Sequence, residues 1–464
     1  MSFITDQQTL NDLNLLGKHR RGSIFNLFYK VQTPGGERLL EKLFRHPLTD
    51  AEAINERSSL FRYFSGLSLT FPLSGAQVEA MESYLESPGH GHLPAALWNS
   101  LRQKVMATLV RDEAYGLLRE GLLAAVSGLQ LLAAFLRELS QRDPMGPYAG
   151  KVNAALAVLK DRDLAAVLKD RDLAAMLEDR DLAAVLQDRR IAGDRPADWS
   201  LLTVARHDHL LRTRLRPGLE IVREVMSELD VYIGVGNLAR ANGWGYARAL
   251  PAADNVVWIQ GLRHPAVSNA VGNSIMLVKD TNMLFLTGAN MAGKSTLMKS
   301  FGIAVYLAHM GFPVAASEMA FSIRDGLFSS INVADDLSLG HSHFYAEVLR
   351  VKKVAQAVSE GRRLVVLFDE LFKGTNVKDA YDGTLAVTEA FSRYRNCAFI
   401  ISTHIVEAGE ALRQRRDNLR FAYLPTVLEN GRPRYPYLLQ EGIAADRVGM
   451  MIIENEGIID LIKK

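Results

Sequence analysis

The stretch Leu284-Phe-Leu-Thr-Gly288-Ala-Asn-Met-Ala-Gly293-Lys294-Ser295-Thr-Leu-Met-Lys-Ser300 decides how the chain is read. Its centre, Gly288 to Ser295, fits G-x-x-x-x-G-K-[ST], the phosphate-loop pattern. The apolar run from Met283 to Leu286 reads as a buried strand, and Leu297, Met298, Phe301 and Val305 recur at helical spacing. Strand, glycine-bearing turn and helix start are the setting the pattern needs. Glycines let backbone N–H groups close around phosphate oxygens, and the helix N-terminus adds about half a positive charge. The binding candidates are Gly288, Ala289, Asn290, Met291, Ala292, Gly293, Lys294, Ser295 and Thr296. Lys294 would reach the β- and γ-phosphates of a nucleotide such as ATP, and the Ser295 hydroxyl would ligate Mg2+.

Further along, Arg363-Leu-Val-Val-Leu-Phe-Asp369-Glu370 reads as a buried strand ending in two acids, the Walker B pattern. Asp369 would hold Mg2+, and Glu370 would orient or deprotonate the attacking water. A third apolar run, Ala398 to Ile401, leads into Ser402-Thr403-His404. A histidine past the C-terminal end of a strand lies on the edge where parallel sheets bind nucleotides, so His404 is a catalytic candidate. Between loop and acids, Ser342 can cap the helix that carries Glu347, and a serine-led helix start suits an anion as well as an ordinary cap.

The rest of the chain bounds the reading. Its 464 residues allow two or three domains, and 48% hydrophobic with 23% charged residues is a globular balance. A net charge of +2 gives no global field toward nucleic acid, so any DNA contact must come from local basic patches. One cysteine, Cys397, rules out an internal disulfide framework and a cysteine-rich zinc site. No signal pattern or uncharged membrane run is read, so the expected location is cytoplasmic, away from membrane.

Pro34-Gly-Gly36 is expected to turn ahead of a helix over Glu37–Phe44, with Thr49 or Asp50 capping the next helix from about Ala51. Helical patterns dominate from Ala95 to Ile233. Within them lies a nine-residue repeat at about 152–190, with copies opening at Asp161, Asp170 and Asp179. With neither Gly nor Pro from Lys151 to Ile191, one helix of about 40 residues, roughly 60 Å, is plausible. Nine residues turn each copy's leucines by about 180°, so either the helix packs on two sides or the copies break into short helices. Arg212-Thr-Arg-Leu-Arg216 reads as a solvated helix end, and Asn242–Pro251 as a loop. The domain boundary is placed there: 1–250 helical, 251–464 richer in strands.

These residues resemble the MutS family of DNA mismatch-repair proteins and their relatives. Thr287-Gly-Ala-Asn290-Met291-Ala-Gly293-Lys294-Ser295-Thr296 is similar to its T-G-P-N-M-G-G-K-S-T. Asp369-Glu370 with Gly374-Thr375 is similar to D-E-x-x-x-G-T, Ser402-Thr403-His404 to A-T-H, and Arg263-His264-Pro265 to R-H-P. Asp335-Asp336-Leu337 with Ser342-x-Phe344 resembles D-D-L and S-T-F, although His343 replaces threonine. Thr33–Leu40, Pro47-Leu48 and Leu229-Asp230-Val231 resemble parts of the helical lever.

The resemblance implies an α/β P-loop NTPase domain of ABC-like type preceded by a mostly α-helical lever-like domain. It implies ATP hydrolysis with Mg2+ and a homodimer through the ATPase domain, in which Ser342 of the partner subunit contacts the γ-phosphate. Nucleotide state would then gate a DNA-sized space. The chain begins almost at the lever, so the expectation is a short form without the mismatch-reading domain, acting on duplex or branched DNA. The alternative is a nucleotide-switched protein-interaction ATPase that does not bind DNA.

Overall fold

The structure is a computed structural model that describes residues 2–18, 20, 22–88, 92–110, 114–169, 200–331, 343–429, 432–444 and 461–462. The chain divides into two compact units. One comprises Lys30–Glu41 and Leu67–Gly234; the other comprises Met1–Tyr29, Lys42–Gly66 and Val235–Lys464.

Among its described residues the first unit is helical. Its central helix, Ala114–Arg142, buries Leu122, Val126, Leu129, Leu132 and Leu136. Helices Gly75–Glu86 and Ala149–Leu159 pack along it. Tyr115–Arg142 is the one helix among the described residues long and apolar enough to cross a membrane, and 61% of its most apolar window is buried inside the protein. A core helix has that composition because its apolar face is satisfied by neighbouring helices.

Three local expectations need correction. Gly35 and Gly36 do not form a turn but lie in the first turn of helix Pro34–Arg45. Pro34 takes the first helical position, where its missing N–H costs nothing, and Thr33 Oγ1 accepts from Gly36 N at 2.8 Å. The second concerns the repeat, where the single long helix gives way to the other alternative, short helices, at the first full copy. Helix Ala149–Leu159 stops, and a new helix, Arg162–Leu168, starts with Asp161 accepting from the amides of Asp163 and Leu164 at 2.9 and 3.3 Å. The aspartate that opens the copy supplies a cap, so no single helix continues through it. The copies opening at Asp170 and Asp179 lie outside the described residues. Third, Arg212 is not solvated. It is 8% exposed and pairs with Asp208 at 2.5 Å, beside the Tyr84 hydroxyl that donates to the same carboxylate at 2.8 Å. A π-turn over Leu210–Arg214 accompanies this pairing.

Among its described residues the second unit carries two larger sheets and a two-stranded hairpin. A five-stranded mixed sheet has the order β3 (Asn273–Leu277), β2 (Val257–Leu262), β6 (Glu318–Ser322), β1 (Gly245–Leu250), β5 (Pro313–Val314). Strand β1 occupies the stretch read as a loop; its inward residues, Ala247 and Ala249, are too small to show an apolar alternation. A six-stranded sheet has the order β13 (Gln440–Glu441), β10 (Leu419–Leu424), β4 (Met283–Gly288), β9 (Ala398–Ser402), β8 (Leu364–Asp369), β7 (Gly326–Ser330). All its pairs are parallel except β13 with β10. A short hairpin, β11 (Val427–Glu429) with β12 (Arg432–Arg434), stands apart. Strands β4 and β9 are buried throughout, as continuous apolar runs covered on both faces should be.

The helix after the phosphate-loop pattern, Lys294–His309, explains the arrangement. It is buried at nearly every position and packs on β1, β2 and β5 of one sheet and on β4, β7, β8 and β9 of the other. A helix apolar on all sides belongs between two layers. Gly302 sets the spacing: a Cβ there would lie 2.8 Å from Leu367 Cδ1 and 2.9 Å from Leu13 Cδ1. Gly302→Ala is therefore expected to destabilise the fold by about 1–3 kcal/mol through overpacking. Denaturant unfolding is the check, and an unchanged midpoint would refute this packing.

Residues near the N-terminus close the β7 edge. Ile4 N donates to Asp325 O at 2.8 Å, and Leu327 N donates to Ile4 O at 2.9 Å. Asp6 caps helix Gln7–Asp12. Asp12 accepts from Ser329 Oγ at 2.7 Å and Ile331 N at 3.0 Å. From helix His343–Ser359, Arg350 donates to Asp6, to Thr9 Oγ1 at 3.0 Å and, through Nε, to Ser329 O at 3.0 Å. Lys353 adds a second pair to Asp6 at 2.7 Å. Burial pushes the Asp6 carboxyl up, but Arg350 and Lys353 outweigh it and hold it well below the usual carboxylate range.

Candidate functional site

The C-terminal ends of the adjacent strands β4, β9 and β8 deliver three groups of side chains to one edge. From β4 the chain turns through Gly288 at φ 132° and a 3-10 turn over Asn290–Ala292, then enters the helix through Gly293 at φ 97°. A Cβ at Gly288 would stand 2.8 Å from Leu424 O, and one at Gly293 would stand 3.0 Å from Tyr437 Cδ1. Both positions combine a left-handed backbone with close neighbours, so only glycine fits. The loop exposes Met291 and Thr296 and buries Ala292.

Lys294 is 2% exposed. Its Nζ donates to Gly288 O at 2.8 Å and Ala289 O at 3.2 Å, and lies 3.8 Å from Glu370 Oε1. Burial pushes the ammonium down, opposed by the carboxylates of Glu370 and Asp369. Ser295 Oγ donates to Asp369 Oδ2 at 2.5 Å, and Ser402 Oγ donates to the other oxygen of the same carboxylate. A hydroxyl and a carboxylate side by side are hard oxygen donors of the kind Mg2+ takes while keeping most of its waters. No group of three or more His, Cys, Asp or Glu side chains able to hold a metal occurs among the described residues.

Glu370 follows at φ 52°, a left-handed conformation that is unusual outside glycine. Its amide donates to Ser402 O at 2.9 Å, tying the turn to the end of β9. His404 Nδ1 lies 3.5 Å from Glu370 Oε1, with half of the imidazole exposed. The His404 ring, with help from Lys294 and against partial burial, holds the Glu370 carboxyl below its ordinary range. This arrangement provides a carboxylate that stays ionised, an adjacent exposed imidazole, a buried cation and a hydroxyl–carboxylate pair.

Lys294, Ser295, Asp369, Glu370 and His404 thus come together, with Gly288, Ala289 and Gly293 shaping the loop. Ser342 and Asp335-Asp336-Leu337 lie outside the described residues, as do the side chains of Asn290 and His343. Sequence reading missed two neighbours. Ser402 was quoted for the sake of the histidine two places on, yet its own hydroxyl bonds Asp369. Tyr437 packs on Gly293, held in place by Asn273, whose Nδ2 donates to Tyr437 O at 2.9 Å and whose Oδ1 accepts from Leu439 N at 2.7 Å. No spacing rule connects residues so far apart.

The family model for MutS domain V matches residues 284–463, and that for MutS domain III matches residues 8–234. The DNA mismatch repair protein MutS of Shouchella clausii is 32% identical over 239 residues, 50% of this chain and 27% of the relative. The proteins of the same name from Geobacillus kaustophilus and Geobacillus thermodenitrificans are each 29% identical, over 248 and 255 residues. Those matches cover 52% and 53% of this chain but 27% and 28% of the relatives, so only about a quarter of each relative's length is represented. With one family domain matched in the helical stretch and another in the α/β stretch that builds the site, the chain belongs to the MutS family.

Proposed function

We propose that this protein is a P-loop ATPase of ABC-like type that binds ATP with Mg2+ at the loop Gly288–Thr296. The observation that carries the reading is the convergence of Lys294, Ser295, Asp369, Glu370 and His404 at one edge of the six-stranded sheet. Ser295 and Asp369 would hold Mg2+, whose chemistry is to shield phosphate charge. Lys294 would exchange its bonds to the Gly288 and Ala289 carbonyls for phosphate oxygens. Glu370, kept ionised, would take a proton from the attacking water, and His404 would orient that water or the carboxylate. Tyr437, beside the loop, offers a ring face to the nucleotide base. Family membership supports a homodimer in which Ser342 of the partner subunit completes the site, and a cytoplasmic location.

The same membership supports action on duplex or branched DNA. A specific observation favours the alternative, a nucleotide-switched protein-interaction ATPase. Trp98, Leu101 and Val105 of helix Leu93–Val110 are exposed at helical spacing, with Trp98 70% exposed. Apolar residues exposed on one helical face suit a protein partner better than phosphates.

Two measurements test these readings. Calorimetry with Mg·ATP is expected to show binding, and no heat would overturn the ATPase. Binding to linear and four-way DNA across a salt series separates the alternatives. If DNA is the partner, and six or more phosphates are contacted, affinity falls about a thousandfold between 50 and 200 mM salt. Weak binding that does not change with salt would favour the protein partner.

A further inference from the structure

Two of the three residues that follow Asp369 in the acidic turn stand out from the rest of the site. Glu370 and Phe372 both have positive φ, 52° and 64°. A bulky side chain in that region is an outlier, and it persists only where its surroundings over-determine it. Here the surroundings are visible. The Phe372 ring is 6% exposed and lies on Gly383 of helix Val377–Phe391, where an added Cβ would stand 2.8 Å from Cδ2 and 3.1 Å from Cε2. The next residue of that helix, Thr384, is fully buried and donates through Oγ1 to Leu371 O at 3.3 Å. The Phe372 ring also meets Phe344, centroids 6.0 Å apart and planes at 62°. Phe344 sits in the first turn of helix His343–Ser359.

Glu370 is thus set from three directions. Its amide is bonded to β9, the carbonyl of the next residue to helix Val377–Phe391, and the ring two residues on contacts both Gly383 and Phe344. We propose that Phe372 is a positioning residue for Glu370, and that its edge-on contact with Phe344 couples the start of helix His343–Ser359 to the carboxylate. The proposal rests on the ATPase reading above. A shift of the helix start moves Phe344, frees or presses Phe372, and is felt at Glu370 through two peptide units. The helix is also held through Arg350 to Asp6.

The test uses the full chain. Phe344→Ala is expected to raise amide hydrogen exchange across residues 369–375 and to lower kcat for ATP at least fivefold. KM and the calorimetric Kd for ATP should change by a smaller factor than kcat, because Lys294 and its loop are untouched. Phe344→Leu, which keeps most of the volume, should restore at least half of kcat. The double variant with Phe372→Ala should lose no more kcat than the worse single variant, since both act through one contact. Wild-type exchange over 369–375 in Phe344→Ala overturns the coupling, as does wild-type kcat. If the alanine variant does not fold, Phe344→Val, which removes the ring but keeps a buried apolar group, decides instead: raised exchange over 369–375 supports the proposal, and wild-type exchange overturns it. A wild-type protein that gives no heat with ATP sinks the ATPase reading instead, and the exchange measurement still decides the contact.

Discussion

Glu370→Gln should leave ATP bound and reduce its turnover by about a thousandfold, within the range assigned to a lost general base. Glutamine keeps the shape and the φ 52° backbone but cannot accept a proton, so the loss isolates the chemical role. Calorimetry and phosphate release on the same preparation give the two quantities. Turnover within threefold of wild type would remove Glu370 from the mechanism. The pH profile should carry the same signature. The carboxyl is held below its ordinary range by His404 and Lys294, so the base form persists to more acidic pH than for a free glutamate. The acid limb attributable to Glu370 should accordingly fall below the ordinary glutamate pKa, and it should be missing from the residual rate of the glutamine variant.

Arg350→Ala is the second large effect, this time on folding. Arg350 is 6% exposed and bonds Asp6, Thr9 and the Ser329 carbonyl. Removing it leaves the Ser329 carbonyl short of donors and Asp6 with only Lys353 as a cation, a loss of about 1–3 kcal/mol. The pH dependence has a definite sign. A carboxyl whose folded pKa is depressed stabilises fully above its unfolded value, roughly 3.9, and loses that contribution as pH falls through the folded pKa. The difference between wild type and variant should therefore be largest near neutral pH and shrink below about pH 4. Urea unfolding at neutral pH and at pH 3 reads both points. Equal stabilities at neutral pH would show that the Arg350–Asp6 pair contributes nothing.

How much of this was legible from the sequence depends on the range of each interaction. The loop glycines, Lys294, Ser295, Asp369 and His404 were readable because local geometry fixes them: strand end, turn, helix start. The central strands were readable because burial on both faces leaves unbroken apolar runs. Strand β1 was not, since Ala247 and Ala249 carry too little hydrophobic signal to declare a face. The break at Asp161 was one of two alternatives the nine-residue period left open; good helix formers on both sides could not choose between them, and a single capping side chain did. The Asp6–Arg350 pair joins residues 344 positions apart, and Tyr437 reaches Gly293 only through the folded sheet. Phe372 was passed over because nothing in a one-letter string marks a left-handed phenylalanine.

Cys397 has a practical consequence. Its sulfur is buried at the foot of β9, burial pushes the thiol pKa up, and the Arg362 carbonyl accepts its proton at 3.2 Å. It is also the sole cysteine of the chain. Thiol-directed dyes and spin labels should leave the native protein unmarked while it stays folded. A cysteine placed at an exposed position such as Thr296 or Trp98 would then be a single-site reporter, with no need to mutate the natural residue first.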